Sequence, residues 1–584
     1  MRKTMISMKK TIAKLLQPAI NQWPILLTYI VWIGWSSVLQ NPFYRWFTIM
    51  LHAYLVAALV EWSKSKIIKA LAYGFMFILF FTEAALEACY DLAISPSMLH
   101  LLVETNAHES QEFLSNLVML PAFWIITGVA IALAWLARQA ERKRLHVAAW
   151  LQKPRPYKVL KTVLPIWLAV GIGCSWCYVS LFQCKSTDEV ADWNLHMRYP
   201  SDAMTRVVIA LFDTQIAKHE MDEAISQAQA SLDTRVAPAG DSVRVVFVIG
   251  ESYIRQHASL YGYPLNTTPF LLAEQANGRL VAFTDAVSPY NLTTQVIRNL
   301  MSCNSISNDE HWSQQPPLTA VFRACGYNVE MYDNQKDFHL AATFSFALNT
   351  FLYHPRMAEL CYDETNDRVF DYDGQLIDYY RSRPHAASAR HLTVFHLVGQ
   401  HVQAKNRYPR TDPRFCRFTA DSLTWRHEPW LTQRKRQEIA HYDNATCYND
   451  YVLQQIAQLY PDEPTVMVYL SDHGEEVYDY RNSIGRSGGD DLRQMLDHQY
   501  GVPLVVWCND KYINQHPEIM EQLNKAKARP LMTDNICQLL FRVAGLTNQP
   551  YYKTQRDVLS PDYQCGPRML NDRYDYDQIK SEKP

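Results

Sequence analysis

The sequence predicts an α/β domain with a mostly parallel central sheet, carried behind an N-terminal domain of five membrane-spanning helices. Two observations lead there. Up to about residue 185 the chain holds nearly continuous apolar runs long enough for a bilayer. Beyond that point short β-rich runs alternate with helical and loop segments of mixed charge, the pattern of a sheet covered by helices on both faces. At 584 residues the chain exceeds one ordinary domain.

Taken in order, residues 1–183 form the transmembrane domain, with spans at about 23–39, 44–62, 67–88, 117–138 and 159–182. The basic leader Arg2, Lys3, Lys9, Lys10 and Lys14 precedes the first span. It lacks a small-x-small cleavage site, so the span reads as an anchor and not a signal peptide. The leader, the Lys64 to Lys66 connection and the loop with Arg142, Lys143, Arg144, Lys153 and Arg155 fall on one side, which basic residues mark as cytoplasmic. The loop between spans three and four carries Asp91, Glu104, Glu109 and Glu112 without Lys or Arg. An odd number of spans then puts the C-terminal domain outside.

Residues 184–241 are a polar connector in which Met204, Val207, Val208, Leu211 and Phe212 recur at helical spacing. That face suits either a lipid surface or the following domain. After Ala237-Pro238-Ala239-Gly240 breaks the chain, residues 242–570 form the extracytoplasmic domain, with strands at 243–249, 328–332, 392–398, 465–470 and 502–507. The charged tail 571–584 is expected to be unordered. The formal net charge of −2 argues against a nucleic-acid partner. Eight of twelve cysteines lie beyond residue 241, where an oxidising exterior permits disulfides, and none of them is close enough in sequence to another for a Cys-x-x-Cys zinc site.

Ligand-type residues recur just past the strand ends: Glu251 after the first, Asp333 and Asn334 after the second, His401 after the third, and Asp472 with His473 after the fourth. The carboxyl edge of a parallel sheet is where such residues converge into one site. The segment from Ser288 to Met301 reads as a turn entering a helix, with Thr293 at its start. A hydroxyl there is commonly an N-cap. It also stands where backbone N–H groups attract a phosphoryl group, so a nucleophile is the alternative.

Several motifs occur in order along the chain: Gly250-Glu251-Ser252, Ser259 to Pro264 followed by Asn266-Thr267-Thr268-Pro269, the Thr293 helix, His396-x-x-Gly399-x-His401, and Ser471-Asp472-His473-Gly474-Glu475-Glu476. Together they resemble the phosphoethanolamine transferases of the bacterial envelope, and most nearly the branch that modifies the lipopolysaccharide core heptose. The resemblance implies a sulfatase-like, alkaline-phosphatase-like α/β sandwich behind five helices, in the bacterial inner membrane, with a cytoplasmic N-terminus and a periplasmic catalytic domain. It implies that Glu251, Thr293, Asp472 and His473 hold zinc, with a second zinc conceivable, and that Thr293 is the nucleophile, with Thr294 in reserve. His401 and His498 are then catalytic and substrate-binding, and Asn334 joins them at the substrate. The donor is phosphatidylethanolamine, the intermediate a phosphothreonine, and the acceptor lipopolysaccharide (core or lipid A) or another envelope glycan. Ser252 stands where the family most often has Thr, a swap expected to be tolerated. Cysteines do not bracket Thr293 as they do in lipid A-modifying members, which leaves Cys303 and Cys325 to pair. The rival readings are a phosphoglycerol transferase of the same superfamily and a sulfatase or phosphodiesterase. The last lacks its Cys-x-Pro-x-Arg motif here.

Overall fold

The structure, a computed structural model, describes residues 2–35, 45–90, 94, 117–118, 120–196, 202–234, 242–308, 310–335, 352–401, 403–486 and 492–582. It divides into two compact units, Met1–His219 and Glu220–Pro584.

The first unit is helical. The basic leader and the start of the first expected span form α1 (Arg2–Asn21) and α2 (Trp23–Trp32), followed by α3 (Arg45–Ser63), α4 (Lys66–Tyr90), α5 (Pro121–Leu151) and α6 (Pro154–Ser175). Proline opens α2, α5 and α6, where its missing N–H costs nothing. Among the described residues, four stretches are long and apolar enough to cross a membrane, Trp46–Ser63, Lys66–Cys89, Pro121–Leu151 and Pro154–Leu181, and Trp23–Trp32 is a shorter apolar helix. Residues 36–39 of the first expected span lie outside the described residues. Large apolar side chains such as Leu59, Ile67, Ile125, Trp135 and Ile172 face outward, as lipid-facing side chains would. The connector is mostly helix, Thr187–His196 and α7 (Ala203–Asp233). Met204 and Val207 pack against the apolar cluster of the first unit, whereas Val208 and Leu211 are exposed. The two units meet in sequence within α7, so its last turns belong to the second unit, where Ala224 and Ala228 join the core.

The second unit is built on a seven-stranded sheet: β1 (Arg244–Gly250), β2 (Leu280–Phe283), β3 (Asn328–Asp333), β4 (Glu364–Thr365), β5 (His391–His396), β6 (Thr465–Ser471) and β7 (Leu504–Cys508), in the order β2-β7-β6-β1-β5-β3-β4. β6, β1, β5, β3 and β4 are parallel, and β7 runs antiparallel to both β6 and β2. β2 and β4 escaped the sequence pattern because they are short. The apolar run of β1 is buried on both faces: Val245, Phe247 and Ile249 enter one core cluster, Val246 and Val248 the other. A central parallel strand has no solvent face, so it reads as a continuous apolar run. Each such side chain contributes about 1.5–3 kcal/mol.

Two expectations are corrected. The tail after Asn571 is ordered through residue 582: Met569–Leu570 pairs with Tyr574–Asp575, and the helix Tyr576–Ser581 follows. Arg568 holds it by gripping Asp285 and Asp577 while Tyr576 is buried. Cys303 and Cys325 are each unbridged, and the sulfur neighbour of Cys303 is Cys537.

Candidate active site

The topology brings the carboxyl ends of β3, β5, β1 and β6 and the amino end of β7 to one edge. β1 ends on Gly250, and Glu251 follows, wholly buried. Ser252 then turns the chain with φ +56°, a left-handed conformation costing a non-glycine residue about 1–3 kcal/mol. A β-branched residue would be worse there, which suits Ser over Thr. The turn is held from three sides. Ser252 N–H donates to Asp472 Oδ1 at 3.0 Å, the Ser252 hydroxyl donates to Glu251 Oε1 at 2.8 Å, and the Tyr442 hydroxyl donates to Ser252 O at 2.6 Å. Gly399, at φ +52°, lets a second loop close on it, since a Cβ there would lie 2.8 Å from the Glu251 backbone.

Across the edge, Asp472 Oδ1 also accepts from the His473 N–H at 2.7 Å, leaving Oδ2 buried without a hydrogen bond, 3.0 Å from His473 Nε2. The Gly474 carbonyl lies 2.8 Å from His473 Nδ1. A carbonyl only accepts, so Nδ1 carries a hydrogen and Nε2 turns toward the carboxylates. Gly474 is required, because a Cβ would stand 2.0 Å from His498 O.

Thr293 is the first residue of α8 (Thr293–Leu300), and the N-cap position falls to Leu292, which has no capping side chain. The Thr293 hydroxyl therefore does not cap. It lies 3.2 Å from each Glu251 oxygen and 3.1 Å from His473 Nε2, while Glu251 Oε1 is 3.3 Å from the same nitrogen. A tetrahedron with metal–ligand bonds of about 2.0–2.1 Å has edges of about 3.3–3.4 Å. The orphaned Asp472 Oδ2, the Glu251 carboxylate, the Thr293 hydroxyl and His473 Nε2 thus fit a zinc-type ion in both spacing and donor chemistry. Glu251, Asp472 and His473 also group as potential metal ligands. Burial works against the Glu251 charge, but His473, His401 and Arg486 outweigh it and hold the carboxyl well below its usual range. Burial and Arg486 pull His473 down, yet Asp472 and Glu251 hold it up at about 9. A metal ion taking this nitrogen would have to displace its proton.

The surroundings divide the other candidates. His401 is half-buried beside Glu251, Arg407, Arg486 and Asp472, and burial lowers its pKa, favouring a neutral imidazole. Asn334 is committed to the framework: its amide donates to Asp373 Oδ1 at 2.9 Å and accepts from the Phe370 N–H at 2.7 Å. Its neighbour Gln335, which the strand-end pattern passed over, donates to Glu251 Oε2 at 3.1 Å and to Leu397 O at 2.8 Å. Gln335 also meets His396 Nε2 at 3.0 Å, and His396 Nδ1 in turn lies 3.0 Å from Asp333 Oδ2. Arg486, also missed, touches His473 Nε2 and donates to Asn291 O at 3.0 Å, with Glu475 3.5 Å away. No spacing signal in the sequence marks it. His498 stands with Glu476 and Asp479, its ring 5.0 Å from Tyr480, and is not among the groups that meet at Thr293.

This arrangement defines a metal-type site at the carboxyl edge of an α/β sheet, with a hydroxyl set among the ligands at a helix N-terminus. Residues 244–533 match the sulfatase family, and the chain carries a sulfatase-family domain there. Over 506 residues, 84% of this chain and 83% of its relative, it is 25% identical to phosphoethanolamine transferase EptC of Escherichia coli K12. The zinc complex of the C-terminal periplasmic domain of Escherichia coli EptC superposes with a TM-score of 0.50 at 25% identity, covering 59% of this chain and 95% of that domain. The integral membrane protein EptA of Neisseria meningitidis shares the fold across 93% of this chain and 97% of its own, with a TM-score of 0.51 at 15% identity.

Proposed function

We propose that the protein is a zinc-dependent phosphoethanolamine transferase of the bacterial inner membrane. It takes the head group from phosphatidylethanolamine and passes it, by way of Thr293, to lipopolysaccharide or another envelope glycan. The observation that carries this reading is the Thr293 hydroxyl, 3.1–3.2 Å from Glu251 and His473 at the start of α8, in a chain similar over most of its length to a protein named phosphoethanolamine transferase. The N-terminus is cytoplasmic and the catalytic domain periplasmic, where the apolar helices keep it beside a lipid donor.

Zinc held by Glu251, Thr293, Asp472 and His473 would supply Lewis-acid character and a lowered hydroxyl pKa. The protein's own part is positional and protonic. Thr293 Oγ1, oriented by Glu251, attacks the donor phosphorus as its proton passes to a neighbouring base. The bond from phosphorus to the diacylglycerol oxygen breaks, and that oxygen takes up a proton. The free N–H groups of the first turn of α8 and the Arg486 guanidinium face the phosphoryl oxygens. The neutral His401 imidazole is suited to take the proton of the incoming acceptor hydroxyl, which displaces Thr293 and restores it. Gln335, fixed by His396 and Asp333, positions Glu251. His498, backed by Glu476 and Asp479, is the place for a second ion or for the substrate head group.

The test is to incubate the full-length, zinc-loaded protein in detergent with phosphatidylethanolamine labelled in its head group, with and without lipopolysaccharide. Label on the glycan supports the transferase. Label released only to water supports a phosphodiesterase, and transfer from phosphatidylglycerol alone supports a phosphoglycerol transferase.

A further inference from the structure

At the opposite edge of the sheet, where β3 and β5 begin, lies a second convergence of ligand-type side chains that this chemistry does not use. Glu330 of β3 and Glu364 of β4 are direct partners in the parallel register. Like charges at paired positions repel unless a cation compensates them. Glu330 is wholly buried. Its Oε2 accepts from the Tyr380 hydroxyl at 2.9 Å and the Thr393 hydroxyl at 2.8 Å, with Arg244 Nη1 4.0 Å away. Its Oε1 has no hydrogen-bond partner and faces two imidazoles, His385 Nδ1 at 3.3 Å and His391 Nδ1 at 3.8 Å.

The other nitrogen of each ring fixes what those Nδ1 atoms are. His385 Nε2 lies 2.9 Å from Tyr380 O, and His391 Nε2 lies 3.1 Å from Ser388 O. Carbonyl oxygens only accept, so each Nε2 carries hydrogen and each Nδ1 of a neutral ring is a bare lone pair. Neither Nδ1 has a hydrogen-bond partner, and His391 is only 3% exposed. Glu364 repeats the pattern. Its Oε1 accepts from the Tyr332 hydroxyl at 2.6 Å and from Arg383 Nε at 3.2 Å, while Oε2 lies 3.8 Å from His385 Nδ1. Acceptor atoms of Glu330, Glu364 and His385 therefore lie within 4.8 Å of one another, with His391 Nδ1 3.8 Å from Glu330 Oε1, while their sister atoms are anchored elsewhere. Such a set repels itself unless protons or a metal ion lie among its members. Imidazoles whose far N–H groups rest on carbonyls are the usual supporting arrangement of metal-bound histidine.

We propose that Glu330, Glu364, His385 and His391 form a second divalent-cation site of the zinc class, structural in role, at the amino edge of the sheet. The closest pair already stands at the roughly 3.3 Å edge of a tetrahedral site, and Glu330, Glu364 and His385 each place a ligand atom within 4.8 Å of the others, while His391 must move further to complete the set. His385 and Glu364 are about a fifth exposed, which opens a path for the ion. His391 and His396 are five residue steps apart along β5, placing the two edges about 17 Å apart. The ion would tie the edge strand β4 and the loop before β5 to the buried centre of the sheet.

Cobalt(II), which reports tetrahedral binding by visible absorption, is the probe. The full-length protein in detergent, with the first site disabled by Asp472→Asn and His473→Gln, is chelated and titrated with Co2+. One tetrahedral equivalent is expected, lost on adding His385→Gln and retained on adding His498→Gln, which tests the separate Glu476 and Asp479 cluster. The same background should gain thermal stability with Zn2+, and His385→Gln should abolish the gain. Absence of tetrahedral Co2+ in the folded background overturns the site and assigns the histidines as imidazolium partners of the glutamates. Absorption and Zn2+ stabilisation that survive His385→Gln overturn it too. If His385→Gln does not fold, His391→Asn serves in its place, with the same outcomes decisive.

Discussion

The two edges of one sheet carry similar side chains under different constraints. At the carboxyl edge, Glu251, Asp472 and His473 sit on turns at strand ends, and Glu251 and His473 share contact with the Thr293 hydroxyl at a helix N-terminus. At the amino edge, Glu330, Glu364 and His391 lie within or at the start of strands, and every neighbour is a framework hydroxyl, carbonyl or guanidinium. The ligand types alone do not separate chemistry from architecture. What separates them is whether a nucleophile and free helix N–H groups face the same space.

The largest effect that sharpens this contrast is expected from Thr293→Ala, which removes the attacking oxygen and should lower transfer by at least about 10³-fold with the fold intact by circular dichroism. Asp472→Asn should release the carboxyl-edge metal, measured by elemental analysis, and abolish transfer that added zinc cannot restore at ordinary concentrations. Gln335→Ala, which frees Glu251 without removing a ligand, should cost about 10–100-fold in activity or metal affinity, with little change in Tm. His385→Gln should lower Tm while leaving kcat near wild type. Its effect should add to that of Gln335→Ala within about 0.5 kcal/mol, because the sites are distant, and strong coupling would erase the distinction between the edges.

The smallest effect concerns pH. His257 lies 2.6 Å from Asp443 and 3.3 Å from Asp479. Burial lowers its pKa, but Asp479 and Asp443 prevail and raise it to about 10. The folded value exceeds the ordinary 6.5, so this contribution to stability is present in full below about pH 6.5 and is lost as pH rises toward 10. Denaturant midpoints across that range should fall more steeply for the wild type than for His257→Gln.

Much of this was legible because central parallel strands are apolar runs that stop at turns. β1, β3, β5 and β6 could be drawn, and with them Glu251, Asp472 and His473. β2 and β4 were not visible, since two to four residues carry no period. The antiparallel course of β7 was hidden as well, because an apolar strand has no readable direction. Gln335 and Arg486 reach the site by side-chain length and loop path, which spacing does not encode. The strand end offered Asn334, whereas the hydrogen bonds show its amide already taken and its neighbour Gln335 reaching Glu251. The Thr293 hydroxyl could be a cap or a nucleophile in sequence, and the position of Leu292 as N-cap removes the first of these readings.

The central claim is that Thr293, set among the ligands at the carboxyl edge, carries the transferred group. The most direct measurement is mass spectrometry of the full-length protein after brief incubation with phosphatidylethanolamine and zinc in the absence of acceptor. The account predicts a phosphoethanolamine adduct on the peptide containing Thr293, discharged when lipopolysaccharide is added. Robust turnover by Thr293→Ala, or an adduct confined to another residue, would contradict it.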